Sequence, residues 1–95
     1  MAFLPFEELH VFQSAEKLAD EIWDIVVNWN YFEKETVGKQ LVKAADSIGA
    51  NISEGTGRGS FRDNRRFVKI ARGSLNDAQH WLRRLIKELF SRRKK

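Results

Sequence analysis

The sequence has no cysteine, which excludes disulfide staples, thiolate nucleophiles and thiolate metal ligands. Its one proline is Pro5, so no ring interrupts a helix beyond the first few residues. Glycine is sparse, and three of the six fall together at Gly55, Gly57 and Gly59. No apolar run approaches the ~20 residues needed to span a bilayer. The opening Met1-Ala2-Phe3-Leu4-Pro5 lacks the basic start and apolar stretch of a signal peptide. The expected location is therefore the cytosol, with no membrane partner. Strand-like alternation is missing throughout, which leaves helical periods alone.

What is present fits one small folded domain, residues 1–95, with 42% hydrophobic and 32% charged residues. The net charge of +4 is unevenly placed. Residues 1–57 carry four lysines against ten acids, or −6, whereas residues 58–95 carry thirteen Lys or Arg against three acids, or +10. Such segregation points to an anionic partner for the second half.

Three helices follow from the spacing. In the first, over about 7–29, Phe12, Ala15, Ala19, Ile22, Val26 and Trp29 recur at alternating steps of three and four, with Val11, Leu18 and Ile25 along the flank. Glu7 and Glu8 suit its first turn, where the helix dipole favours acids. Trp23 and Val27 lie off this stripe and are candidates for contact with another chain. A connection over 28–32 leads to a second helix beginning at Glu33 or Lys34. Val37, Leu41, Ala44, Ala45, Ile48 and Ile52 form its apolar face. Beside that face runs a polar line, Gln40, Ser47, Asn51 and Glu54, expected to be half-buried, with Arg58 as partner for Glu54. The Gly55–Gly59 stretch ends this helix and turns the chain.

Ser60 caps the third helix, with Asp63 three residues on as in a capping box. Its expected seam is Phe61, Asn64, Val68, Ala71, Leu75, Ala78, Leu82, Leu85 and Leu89. The unbroken register across Gly73 argues for one helix of roughly 45 Å, with residues 91–95 a frayed basic tail. The reading is an all-α, antiparallel up-and-down bundle of three long helices. A helix that outruns its partners leaves Trp81, Leu85 and Leu89 in need of cover, so these join Trp23 and Val27 as the expected homo-oligomer interface.

The run Gln40-Leu41-Val42-Lys43-Ala44-Ala45-Asp46-Ser47-Ile48-Gly49-Ala50-Asn51-Ile52-Ser53-Glu54-Gly55-Thr56-Gly57-Arg58 is distinctive. With Phe67-Val68-Lys69-Ile70-Ala71-Arg72-Gly73-Ser74-Leu75 and the opening Phe6-Glu7-Glu8-Leu9-His10-Val11-Phe12-Gln13-Ser14-Ala15, it carries a resemblance. The chain resembles the four-helix-bundle proteins encoded within intervening sequences of 23S ribosomal RNA genes. Accessory proteins of diversity-generating retroelements are similar. The resemblance covers about residues 6–85. It implies an up-and-down bundle assembled as a homopentamer with a basic exterior, and no catalytic activity. The retroelement relatives bind nucleic acid and a reverse transcriptase. Two departures stand out. Gly49 occupies a position where relatives often have proline, and the fourth helix of relatives is missing here or merged into a longer third helix.

The residues themselves point away from enzyme chemistry. His10 and His80 stand on different helices, no compact cluster has metal-ligand spacing, and no cofactor is implied. The glycine stretch lacks the Gly-Lys-Ser/Thr end of a phosphate loop and follows no strand. Basic residues carry the stronger signal. Arg62, Arg65, Arg66 and Lys69 follow i, i+3, i+4, i+7 spacing, with Arg58 and Arg72 near the ends of that face. Arg83, Arg84 and Lys87 continue the charge towards the tail. Such a face gives salt-sensitive, sequence-independent affinity for RNA or DNA. The rival readings are a scaffold for a protein partner, such as a polymerase, and a genetic-element protein with no selected partner. Ser47, Asn51, Glu54 and Arg58 are expected to form a structural polar cluster at the exit of the second helix.

Overall fold

The apolar stripe of the first segment dictates its helix. In the computed structural model, which describes residues 9–93 (for residues 89, 90, 92 and 93 the backbone alone), α1 runs His10–Val26 and buries Ala15, Ala19, Ile22 and Val26. Phe12, Leu18 and Trp29 are half-buried around them. Glu7 and Glu8, assigned to its first turn, lie outside the described residues. The helix ends by handing its last carbonyls to the following amides: Val27 N–H bonds Trp23 O at 3.0 Å and Trp29 N–H bonds Val26 O at 3.0 Å. The Asn28 side chain closes the same end on Asp24 O at 3.0 Å.

The second rod begins earlier than its periodicity suggested, at Tyr31, and comprises α2 (Tyr31–Glu33), a π-helical segment (Lys34–Gly38) and α3 (Lys39–Gly57). The π segment closes wider rings with one extra residue per turn. It brings Gly38 against α1, where an added Cβ would sit 2.7 Å from Val26 Cγ1. From there α3 buries the expected face: Leu41, Ala44, Ala45, Ile48 and Ile52, with Gly49 and Gly55 beside them. Leu41 is 1% exposed and Ala45 fully buried.

Only one glycine of the Gly55–Gly59 stretch serves the turn. Gly59 has φ +78°, a region that favours glycine. Gly55 is instead inside α3, pressed against α4 (Phe61–Arg93): an added Cβ would meet Phe67 Cβ and Asn64 Oδ1 at 2.8 Å each. The α4 start is capped as its sequence implies, with Asp63 N–H donating to Ser60 Oγ at 3.1 Å. The helix then passes Gly73 without a break for 33 residues, and includes Ser91, Arg92 and Arg93, where a frayed tail was expected.

The three rods are antiparallel neighbours. Phe12 and Glu16 of α1 meet Gly49, whereas Val26 and Trp29 meet Gly38. Asn64 and Phe67 of α4 meet Gly55, whereas Trp81 and Leu85 line one hollow with Phe32 and Val37. The rod containing α3 lies in the middle, packing on both others, and the molecule measures 59 × 21 × 18 Å. The core runs as two adjoining clusters, one around Leu41, Ala45 and Ala78, the other around Ile48, Ile52 and Ala71. All of the described residues outside the short connections are helical, and none of these helices is long and apolar enough to cross a membrane.

The α4 seam differs from the expected one by a rotation. Phe61, Val68, Leu75 and Leu82, placed in the core from sequence, are exposed. The buried or half-buried line is Asn64, Phe67, Ala71, Ser74, Ala78, Trp81 and Leu85. Small residues explain the choice. Ala44 and Ala45 on α3 pack with Ala78 on α4, Ala71 packs with Ile48 and Ile52, and Gly55 lets Asn64 and Phe67 come close, so the backbones approach there and bulky side chains are turned to the flank.

Candidate nucleic-acid interface

The rotation that hides Ala71 and Ala78 turns the basic residues of α4 outward. At 100° per residue, Arg62, Arg65, Arg66, Lys69, Arg72, Arg83, Arg84 and Lys87 fall within an arc of about 120°. All eight are exposed. The acids of α4, Asp63, Asp77 and Glu88, gather on one flank outside that arc. Among the described residues the face therefore carries one sign of charge along most of a single rigid helix.

Two arginines at its near end are held in place. Arg58, in the turn before α4, bonds Glu54 Oε1 at 2.7 Å one turn back. Its guanidinium carbon lies 5.1 Å from the centre of the Phe67 ring, and that of Arg66 lies 4.8 Å from the same ring. A half-buried phenyl thus supports two cations through its π face. The Glu54–Arg58 pair is about half exposed and is worth only ~0.3–0.5 kcal/mol. Its effect is on geometry: a long side chain is fixed against the ring. At the far end Arg84 bonds Glu88 at 2.8 Å, also in the open. The spacing arguments gave Phe67 no part in the basic face and missed its role as a support. The signal available was the flanking of one aromatic by Arg66 in sequence and by Arg58 across a tight turn.

The polar residues of α3 do not form one cluster. Ser47 donates to Lys43 O at 2.8 Å and Asn51 donates to Ser47 O at 2.7 Å, each within its own helix. Gln40 and Glu54, expected to be half-buried, are exposed. Glu54 and Arg58 alone of the four meet side chain to side chain.

The proposed contact residues divide likewise. Trp23 is 56% exposed and Val27 48%. Together with Val26, Gly38, Val42, Lys34, Glu35 and Lys39 they line an open hollow of about 340 Å³ between α1 and the second rod. Trp81 and Leu85 are half-buried by the protein's own rods, Trp81 against the Leu41 cluster with its ring edge-on to His80. The side chain of Leu89 lies outside the described residues. His10 and His80 are both exposed and far apart in the fold, and no group of three His, Asp or Glu among the described residues could hold a metal ion.

Three antiparallel helical rods with a single basic outer helix define a small all-helical bundle protein. The model of the 23S rRNA-intervening sequence protein family matches residues 7–94, and the chain belongs to that family. No curated protein and no solved structure matches it.

Proposed function

We propose that this is a non-catalytic bundle protein that binds nucleic acid through the exposed face of α4, without reading base sequence, and does so as a homo-oligomer in the cytoplasm. The observation that carries the reading is the arc of eight exposed Arg and Lys residues on one helix, with no acid inside it. Such a face neutralises phosphates and releases their counterions, whatever the bases. The chain has no cysteine, and its two histidines stand on separate helices, which leaves little for catalysis to use. Self-association would multiply a weak phosphate contact through avidity.

The test is light scattering after size exclusion, then binding of labelled mixed-sequence RNA and DNA at low and moderate salt. An oligomer that binds both, and releases both steeply as salt rises, is the expected outcome. A monomer indifferent to either nucleic acid would overturn the proposal. A scaffold for a protein partner is the second reading, favoured by the half-exposed Trp23 and Val27 around their apolar hollow. It predicts a partner complex that survives raised salt and is lost on replacing those two side chains.

A further inference from the structure

The basic face of α4 is not uniform along its length. Arg62, Arg65, Arg66, Lys69 and Arg72 make a first group, and Arg83, Arg84 and Lys87 a second. Between them the same arc holds Gly73, Asn76 and His80, all exposed and none bearing a fixed charge. The second group repeats the positions of Arg65, Arg66 and Lys69 after eighteen residues. Eighteen residues are five full turns, so both groups point the same way, about 27 Å apart along the axis. Helix continuity through Gly73 is what fixes that separation.

The face also lacks what a single-strand groove needs. Proteins that hold single strands stack bases on aromatic rings. Among the side chains described inside the arc the only ring is that of His80; the exposed Phe61 borders the arc at its near end, and Phe67, on the inward side of α4, is occupied by the Arg58 and Arg66 guanidiniums. With Phe61 at its near end and His80 towards its middle, the continuous helix offers no row of rings for successive bases, and its regular spacing suits phosphates that are themselves held at fixed spacing.

Resting on the nucleic-acid reading above, we propose that α4 is a two-station contact for double-helical nucleic acid, whose stations act together only on duplexes long enough to reach both. At 3.4 Å per phosphate along one strand, 27 Å corresponds to about eight base pairs. Shorter duplexes reach at most the facing edges of the two stations, Arg72 and Arg83, about 16 Å apart. Longer ones add the three cations of the second station, which steepens the salt dependence by about 0.9 for each phosphate neutralised, or about 2.7 in slope. Between 50 and 200 mM salt that extra slope is about a forty-fold additional loss of affinity for the longer duplexes.

The experiment is fluorescence anisotropy on the whole chain with labelled DNA duplexes, RNA duplexes and matching single strands, from about five to about twenty-four base pairs, at several salt concentrations. The salt slope should step upward near eight base pairs for duplexes, and single strands of equal length should bind more weakly. The triple variant Arg83→Gln, Arg84→Gln, Lys87→Gln should keep the short-duplex affinity and lose the step. A control variant with Lys17 and Lys43 changed to Gln, two exposed charges on the other helices, should retain it. DNA and RNA duplexes both showing the step assigns it to phosphate spacing, and a step with one alone assigns it to that helix geometry. Duplexes bound with one unchanging slope at every length, or single strands bound as tightly, would overturn the inference while leaving the basic-face reading intact. Binding to nothing would overturn the reading itself.

Discussion

Adding one methyl group to each of two glycines should move stability in opposite directions. Gly73 lies in the middle of α4 with open space where a Cβ would stand, no heavy atom being within 4 Å. Helical glycine costs ~0.8–1 kcal/mol relative to alanine, so Gly73→Ala should stabilise by about that much. In a domain of this size ~1 kcal/mol corresponds to about 4–8 °C in Tm. Gly55 is helical as well, and the same gain is on offer. Its Cβ, however, would lie 2.8 Å from Phe67 Cβ and 3.2 Å from the Asn64 carbonyl oxygen. The Asn64 amide can swing away, but those two atoms belong to the α4 frame, so the rods must part. Overpacking of this kind costs ~1–3 kcal/mol. The expected net for Gly55→Ala is a loss of about 1 kcal/mol, and a Tm lowered by about 4–8 °C. Thermal melts by far-UV circular dichroism, with urea titrations beside them, measure both variants. Protein concentration is held fixed because self-association shifts Tm. If Gly55→Ala melts as high as Gly73→Ala, the close α3–α4 crossing is refuted.

Leu41→Ala should cost ~3–5 kcal/mol, since Leu41 is the large side chain most completely buried, and a urea midpoint shift without a change in slope would show it. Phe67→Leu keeps apolar bulk but removes the ring under Arg58 and Arg66; nucleic-acid affinity should fall about two- to five-fold, with helicity by circular dichroism unchanged. An equal affinity would deny the ring any part in holding the arginines. Glu54→Gln should change stability by no more than ~0.5 kcal/mol in urea titrations, and should raise rather than lower phosphate affinity by removing a negative charge beside Arg58, which the Phe67 ring still supports. Trp23→Ser combined with Val27→Ser should reduce the particle mass in light scattering, while the bundle keeps its stability to within about 1 kcal/mol.

Much of this fold can be read from spacing. The α1 stripe from Phe12 to Trp29 and the α3 face from Leu41 to Ile52 are local periods, and burial follows them residue by residue. The Ser60–Asp63 cap is legible because both partners lie within one turn. The α4 seam is different. Phe61, Val68, Leu75 and Leu82 lie seven apart, and so do Phe67, Ser74 and Trp81; both sets border the shared line of Asn64, Ala71, Ala78 and Leu85. Period alone cannot choose between them. The choice is made by Gly55, Ala44 and Ala45 on another helix, through how closely two backbones can approach. The basic residues were legible because charge is written in composition, whereas the Phe67 support depends on a contact across the turn. The π segment left no trace because an extra residue in a helical turn changes hydrogen-bond ring size, not residue type.

That wide turn at Lys34–Gly38 behaves as a slack joint. A residue gained or lost in an ordinary helix rotates everything after it by about 100° and would carry Leu41 and Ala45 out of the core. Here one surplus residue is already taken up locally, and the nineteen-residue helix beyond keeps its face. Deleting one position within the segment should return it to ordinary α geometry, and the rotation then falls on the short α2 and the connection before it rather than on the α3 face. The connection between α1 and α3 is therefore the place where this bundle can change length by a single codon and remain the same bundle.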